Sequence, residues 1–357
     1  MSASSLSRKK TKVLVVDDSA IVRKMIGDAL AAEPDIEVVG GAPDPYVARD
    51  LILRHKPDVV TLDIEMPRMD GLTFLRKIME HHPLPVIIVS SLATEGSAAT
   101  IEALQSGAVD VIPKPGGPYS VGQVTDRLIQ RIRAIRQAPA LNLKPRQRAP
   151  AAETSRITRK VTNGLIAIGA STGGTQAIES VLTRWPADLP PIVVTQHMPA
   201  AFTKSFADRL NSVCALKVVE ASNGDCLDRG VVYVAPGDHH MVIERFGIQL
   251  RVRLTQGPPV HHQRPAVDVM FNSLAKVAGM PIVAMVLTGM GADGADGLVA
   301  LRQAGAQTIA EAEESCVVFG MPKEAIARGG AIHVASLLKI PSLVFDCFDR
   351  MSNRQVA

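Results

Sequence analysis

The sequence predicts an α/β protein in two parts. The N-terminal part is a doubly wound (βα)5 domain, and the C-terminal part is a parallel-sheet α/β domain with a small antiparallel hairpin. Three observations predict this. Short β-branched runs alternate with helix-spaced runs along most of the chain, the pattern of strands joined by crossover helices. A basic, proline-bearing segment interrupts that alternation near the middle. The chain has 357 residues, 46% of them apolar and 21% charged, which is enough for two cores of ordinary globular composition.

The elements follow in order. "KVLVVDD" is an apolar run that ends in acids, and "AIVRKMIGDALAA" after it has helical spacing. "DIEVVGGA", "DVVTLD", "PVIIVS" and "VDVIPK" supply four further strands, with "GLTFLRKIME" and "SAATIEALQSG" as helices between them. Residues 136–160, "RQAPALNLKPRQRAPAAETSRITRK", hold three prolines and five alanines with no sustained apolar period, as in an extended linker. Beyond it, "GLIAIGA", "PIVVTQH", "LKVVEA", "GVVYVAP", "PIVAMVLTG" and "AQTIAEA" read as strands. "AFTKSFADRL", "AVDVMFNSLAKVA" and "ADGLVALRQAG" read as helices, and "HMVIERFGIQLRVRL" as a hairpin turning near Gly247. The expected division is 11–135, a linker over 136–160, and 161–350.

Charge and composition narrow the function. The net charge is +4, but the linker alone holds seven basic residues against Glu153, so the rest of the chain is slightly acidic. Basicity confined to a linker argues against a nucleic-acid-binding face. No apolar run reaches the about 18 residues that a membrane helix needs, and the polar, basic start does not read as a signal segment. Cys214, Cys226, Cys316 and Cys347 show no C-x-x-C spacing and read as reduced thiols of a cytoplasmic protein.

Polar groups gather at the strand ends of the first domain: Asp17 and Asp18, Asp63, Ser90, and Lys114. Ligands of open α/β sheets bind outside the carboxyl ends of the strands. Three carboxylates meeting there would repel one another without a cation, and an oxygen-only set suits Mg²⁺. Lysine and serine could hold phosphoryl oxygens. The motifs "VLVVDDS", "TLDIEMPRMDG", "VSS" and "KP", in this order, resemble the response-regulator receiver domain. The resemblance implies that Asp63 accepts a phosphoryl group from a histidine kinase. It also implies that Asp17 or Asp18, Asp63 and the backbone of Glu65 bind Mg²⁺, and that Ser90 and Lys114 read out the phosphoryl group. Tyr119 follows Lys114 by five residues and does not clearly occupy the usual aromatic switch position.

In the second domain, Gly169-Ala170-Ser171-Thr172-Gly173 fits G-x-S-x-G between a strand and a helical pattern, the setting of a nucleophile elbow. Phosphate loops fail on spacing: no lysine follows Gly174, and Gly169 is not part of a G-x-G. The stretch alone is equally compatible with a structural glycine turn. A serine nucleophile needs a base. His197 ends "PIVVTQH" at a strand terminus, as Ser171 does, with His239 or His240 as second choices. The base needs an orienting acid, and Asp293 follows the apolar run "IVAMVL" closely among glycines. The order Ser, His, Asp is not that of the common α/β-hydrolases.

Together "GASTGG", "TQHMP", "RPAVDVMF", "LTGMGADG" and "FGMPKEAI" resemble the chemotaxis-specific protein-glutamate methylesterases, the CheB family. The resemblance implies a catalytic triad of Ser171, His197 and Asp293, with Thr172 and Met290 at the active-site turn and oxyanion pocket. It implies hydrolysis of glutamate γ-methyl esters on chemoreceptors, with release of methanol, and deamidation of receptor glutamines. The receiver would restrain the enzyme until phosphorylated, with Mg²⁺ serving the receiver and no cofactor the esterase step. The partners would be the array's histidine kinase and the methyl-accepting receptors, with recruitment to receptor arrays and neither nucleic-acid binding nor membrane insertion. Two other classes compete. A non-catalytic receptor adaptor differs from an esterase only in activity. A transcription factor would need a small helical output domain with a basic recognition helix, and about 200 residues of strands and glycine turns stand in its place.

Overall fold

The computed structural model describes residues 10–90, 98–114, 121–137, 161, 163–277 and 279–356. The chain divides into two compact units, with the main break between Pro145 and Arg146.

The first unit alternates strand and helix without exception: β1 (Thr11–Val16), α1 (Ala20–Ala31), β2 (Ile36–Ala42), α2 (Pro45–His55), β3 (Val59–Leu62), α3 (Gly71–His81), β4 (Val86–Ser90), α4 (Ala98–Gln105), β5 (Asp110–Pro113) and α5 (Val121–Gln137). The strands pair in the parallel order β2-β1-β3-β4-β5. Both β3 and β4 are buried at every position. That is why they read as continuous apolar runs: a parallel sheet with helices on both faces leaves no wet side. Three helices start on side-chain caps, with Ser19 accepting from Val22 N, Asp44 from Tyr46 N and Val47 N, and Asp70 from Thr73 N. Two helices, α2 and α5, go beyond the strands and helices read from the sequence. The second runs through Gln137, so the first two residues of the expected linker are helical. The stripe of Val124, Leu128, Ile132 and Ile135 is buried and carries the helix on, while Arg133 pairs with Asp35 at 2.7 Å. Residues 138–160, the rest of that linker, and Tyr119 lie outside the described residues.

The second unit opens with β6 (Leu165–Ala170), α6 (Gly174–Leu182), β7 (Ile192–Gln196), α7 (Ala200–Val213), β8 (Lys217–Glu220) and β9 (Val231–Val234). The hairpin β10 (His240–Phe246) and β11 (Gln249–Thr255) follows, then α8 (Val267–Ala275), β12 (Ile282–Val286), α9 (Ala295–Gln303), β13 (Gln307–Glu311), α10 (Met321–Ala327), β14 (His333–Ala335) and α11 (Ile340–Val356). Seven strands pair in the order β14-β13-β12-β6-β7-β9-β8, each neighbouring pair parallel. The first strand, β6, is therefore central. The chain winds outward from it through β7 to β8 and β9, then returns to β6's other side with β12 and winds away through β13 and β14. The winding reverses at β6, so the carboxyl ends of β6, β7 and β12 form the switch point at which open α/β sheets bind ligands. The antiparallel hairpin has the expected turn, Phe246 pairing Gln249 across Gly247. It is pinned to α8 by Ile243 N, which donates to Ser273 Oγ at 2.9 Å. The core beneath it joins Leu165, Val193, Met241, Phe271 and Leu298, all buried. The short edge strand β14 and helices α10 and α11 were not among the elements read from the sequence. Helix α11 buries Val344, Phe345 and Phe348 and continues to Val356, past the expected boundary at 350.

Candidate active site

Ser171 follows β6 directly and is 2% exposed. Its backbone is held from both sides: its N–H donates to Thr288 O beyond β12 at 3.0 Å, and its carbonyl accepts from Gly174 N at 2.7 Å. The chain then enters α6 through Gly173, whose φ of 76° is in the left-handed region and whose missing Cβ would lie 2.5 Å from Val317 Cβ. Any larger residue there meets both backbone strain and a collision. The second glycine, Gly174, has its Cα directly against the Gln196 side chain.

The register of β6 with β7 brings His197 beside Ser171. Ala170 pairs with Gln196, so the next residues, Ser171 and His197, leave the sheet side by side, and His197 N donates to Ala170 O at 3.1 Å. The His197 side chain is 2% exposed, and its Nε2 lies 2.7 Å from Asp293 Oδ2. Asp293 is equally buried and takes two further donors from the start of α8, Val267 N to Oδ2 at 2.7 Å and Asp268 N to Oδ1 at 2.8 Å. Burial alone would raise the Asp293 pKa. The His197 hydrogen bond and charge, with the two backbone N–H groups, overcome it and hold the carboxyl below the usual carboxylate range. An ionised Asp293 accepts, so Nε2 carries the proton and Nδ1 the lone pair. The Asp-to-imidazole bond thus uses the nitrogen opposite to the one in the chymotrypsin-type arrangement.

The two second-choice histidines have other work. The His240 ring is buried, with Nδ1 accepting from Ala266 N at 3.2 Å and Nε2 donating to Pro258 O at 3.1 Å. It braces the loop that leads into α8 and has no nitrogen left for a serine. His239 Nδ1 lies 3.3 Å from Gly237 O, two residues away along the chain. Among the cysteines, burial pushes the Cys214 thiol up to about 12 and that of Cys347 to about 11. Neither is a thiolate at neutral pH.

Thr172 is buried, and its carbonyl accepts from Thr288 Oγ1 at 3.0 Å. Met290 lies in the glycine-rich turn after β12. Its neighbour Gly289 is packed so closely on Ser171 that a Cβ there would come within 2.8 Å of Ser171 Cβ.

Four residues of this framework were missed at the level of sequence. Thr288 Oγ1 accepts from Val317 N at 3.0 Å and Val318 N at 2.9 Å, and Thr288 N donates to the buried Glu311 carboxylate at 2.8 Å. Asp268, also buried, accepts from Gly297 N at 2.6 Å and faces His261 Nε2 at 3.0 Å. Gln196 Nε2 donates to Ser171 O at 2.9 Å. A signal existed for each, since a polar residue inside or closing an apolar strand, or set in an apolar helix turn as Asp268 is, must find a partner when buried. The partner's identity was not in the local sequence.

In the first unit, the side chains of Asp17, Asp18 and Asp63 offer oxygens within 4.8 Å of one another. Lys114 Nζ bridges two of them, at 2.7 Å from Asp63 Oδ2 and 2.8 Å from Asp17 Oδ2. Asp63 Oδ1 accepts from Glu65 N at 3.3 Å. Ser90 is fully buried at the end of β4, and Lys114 N donates to its carbonyl at 3.0 Å. Burial drives the Asp63 pKa to about 6, further raised by the Asp17 charge and opposed by Lys114. Three hard oxygen donors facing one another across a sheet end fit a divalent cation such as Mg²⁺.

Similarity to known proteins covers both units. The family model for the CheB methylesterase matches residues 166–344, and that for the response regulator receiver domain matches residues 13–125. The chain is 54% identical to a protein-glutamate methylesterase/protein-glutamine glutaminase of Syntrophus aciditrophicus (strain SB), over 92% of this chain and 96% of that protein. It is 48% identical to one from Geobacter metallireducens, over 98% and 99% of the two chains. The crystal structure of the Thermotoga maritima CheB methylesterase catalytic domain superposes with a TM-score of 0.51 at 40% identity, covering 52% of this chain and 99% of that one. A methylesterase family model over residues 166–344, and relatives 54% and 48% identical over 92% and 98% of the chain, show that this chain belongs to the CheB methylesterase family.

Proposed function

We propose that Ser171, His197 and Asp293 hydrolyse glutamate γ-methyl esters on chemoreceptors, and deamidate receptor glutamines, under control of phosphorylation at Asp63. The observation that carries this reading is the buried Asp293 carboxylate, which receives His197 Nε2 at 2.7 Å beside the Ser171 turn. With Nε2 protonated, Nδ1 takes the Ser171 proton as Oγ attacks the ester carbonyl. The developing oxyanion is met by backbone N–H groups at the start of α6, that of Thr172 first, with the Met290 N–H as a second donor. The imidazolium returns its proton to the departing methoxide, and methanol leaves. Water then gives a proton to Nδ1 while its oxygen attacks the acyl-serine, which frees the glutamate carboxylate and restores Ser171. A glutamine side chain follows the same path with ammonia as the leaving group. Asp293 orients the ring and stabilises its cation. His197 and water carry every proton in this sequence.

In the receiver, Asp63 is the acceptor of the phosphoryl group from a histidine kinase. Asp17, Asp18, Asp63 and the Glu65 backbone would hold Mg²⁺, which when bound neutralises the carboxylates that would otherwise repel a phosphate. Lys114 and Ser90 then contact the phosphoryl oxygens. Kinase and receptors are the partners, and recruitment to receptor arrays brings them together. Among the described residues no helix is long and apolar enough to cross a membrane.

The test is incubation of the full-length protein with methyl-labelled receptor membranes, with and without Mg²⁺ and a small phosphodonor. Labelled methanol should appear and rise with the phosphodonor. A folded preparation that releases none would sink the reading.

A further inference from the structure

We infer that Gln196 is a positioning residue that aims the oxyanion donor, an inference that rests on Ser171 being the nucleophile. Gln196 is the last residue of β7 and is 4% exposed. Its side-chain Nε2 donates to two carbonyls at once, Ser171 O at 2.9 Å and His197 O at 3.2 Å. A single amide group therefore ties the main chain of the nucleophile to that of the base. The other end of the amide is different: Oε1 is buried and has no partner among the described residues. Such an orphaned carbonyl has given up its hydration and gained no hydrogen bond in return. A hydrocarbon side chain of the same length would avoid that cost. What it could not supply is the pair of N–H donors.

Those donors act on a rigid unit. The Ser171 carbonyl and the Thr172 N–H are the two ends of one peptide plane, and in a trans peptide they point in opposite directions. Whatever holds the carbonyl therefore aims the N–H. Gly174 N also grips this carbonyl, at 2.7 Å, but it lies on the same tight turn and moves with it. Gln196 belongs to the neighbouring strand and references the plane to the sheet. The bond to His197 O does the same for the base. Gln196 is itself buried and acts through the Thr172 N–H, which meets full negative charge only in the transition state, so the effect falls on kcat and leaves binding alone.

The experiment compares Gln196→Met, Gln196→Glu and Ser171→Ala with the parent, full-length and phosphodonor-treated, by methanol release from receptor membranes and by thermal melting. Deleting an oxyanion donor outright costs about 10²–10³ in kcat. For Gln196→Met, which misaims the donor, the expected loss in kcat is about 10- to 100-fold, with KM within about twofold and Tm not lowered. Gln196→Glu adds a readout that simple packing would not move. The ionised carboxylate repels both carbonyls, whereas the neutral acid can donate one O–H, so its kcat relative to the parent should rise as pH falls from roughly 8 to 5.5. If Ser171→Ala keeps its turnover, the nucleophile reading falls and this inference falls with it. If Ser171→Ala is inactive while Gln196→Met runs within about twofold of the parent, only the role of Gln196 is overturned. Should Gln196→Met not fold, a relative kcat of Gln196→Glu that stays flat with pH overturns it equally.

Discussion

Replacing Asp293 by asparagine is the sharpest perturbation of the proposed mechanism, because the structure fixes what the amide must face. Three donors converge on the carboxylate: His197 Nε2 and Val267 N on Oδ2, and Asp268 N on Oδ1. An asparagine has one acceptor to offer. With its oxygen in the Oδ2 position, His197 and Val267 are served, but its NH2 confronts the Asp268 N–H. With its oxygen in the Oδ1 position, His197 must present an unprotonated Nε2. The proton then sits on Nδ1, and the base is spent. The first arrangement leaves one buried N–H unpaired, at about 1–3 kcal/mol of stability. Either arrangement removes the charge that stabilises the imidazolium. In Ser-His-Asp enzymes the same acid-to-amide change lowers kcat by about 10⁴, or about 5.5 kcal/mol. We expect a comparable loss of methanol release in Asp293→Asn, with a protein that still melts cooperatively. A pH series adds a second check. The folded pKa of Asp293 lies below its ordinary value, so the parent gains stability above that ordinary value of about 3.8 and loses it as pH falls through the lower folded one. The asparagine variant should lack that component of acid destabilisation. Activity within tenfold of the parent, in a protein shown to be folded, would refute the reasoning.

Three further outcomes are expected. Ser171→Ala should reduce methanol release to background and leave Tm nearly unchanged, since the turn is held by backbone hydrogen bonds; substantial residual turnover would exclude Ser171 as nucleophile. Asp63→Asn should abolish labelling by a small phosphodonor with Mg²⁺. Because the folded Asp63 pKa is raised to about 6, ionising it on folding is unfavourable, and the parent loses stability as pH rises from about 4 through 6. The same variant should therefore be more stable than the parent at neutral pH, by on the order of 1–3 kcal/mol without Mg²⁺, and this gain should vanish near pH 4; a stability difference independent of pH would contradict the assignment. Gly173→Ala should cost on the order of 2 kcal/mol or more, from its left-handed φ and the contact with Val317, and equal melting temperatures would show that the turn can relax.

Local sequence carried most of the framework of both sites. Continuous apolar runs ending in Asp17, Asp63 and Ser90 could be read as buried parallel strands with polar tips, because a doubly covered sheet requires that pattern and ligands gather at its carboxyl edge. Likewise the glycines around Ser171 announced a tight strand-to-helix turn, since few other residues survive a φ of 76° or a Cα packed against a side chain. What no local stretch contained was the order in which strands lie side by side. From the sequence, His197, His239 and His240 were all open to the role of base, and the Ser171 turn was equally a structural feature. Tertiary structure gives them different neighbours. It placed β6 between β7 and β12, so that Ser171, His197 and Asp293 meet at one reversal of winding, and it committed both nitrogens of His240 to the loop before α8. It alone also chose Nε2 for the bond to Asp293, and it turned Gln196 toward the Ser171 carbonyl, Thr288 toward that of Thr172 and Asp268 toward Gly297 N. A buried polar group must be paired, and sequence states that requirement; which atom meets it is set by neighbours that are distant along the chain and adjacent only once the sheet has formed.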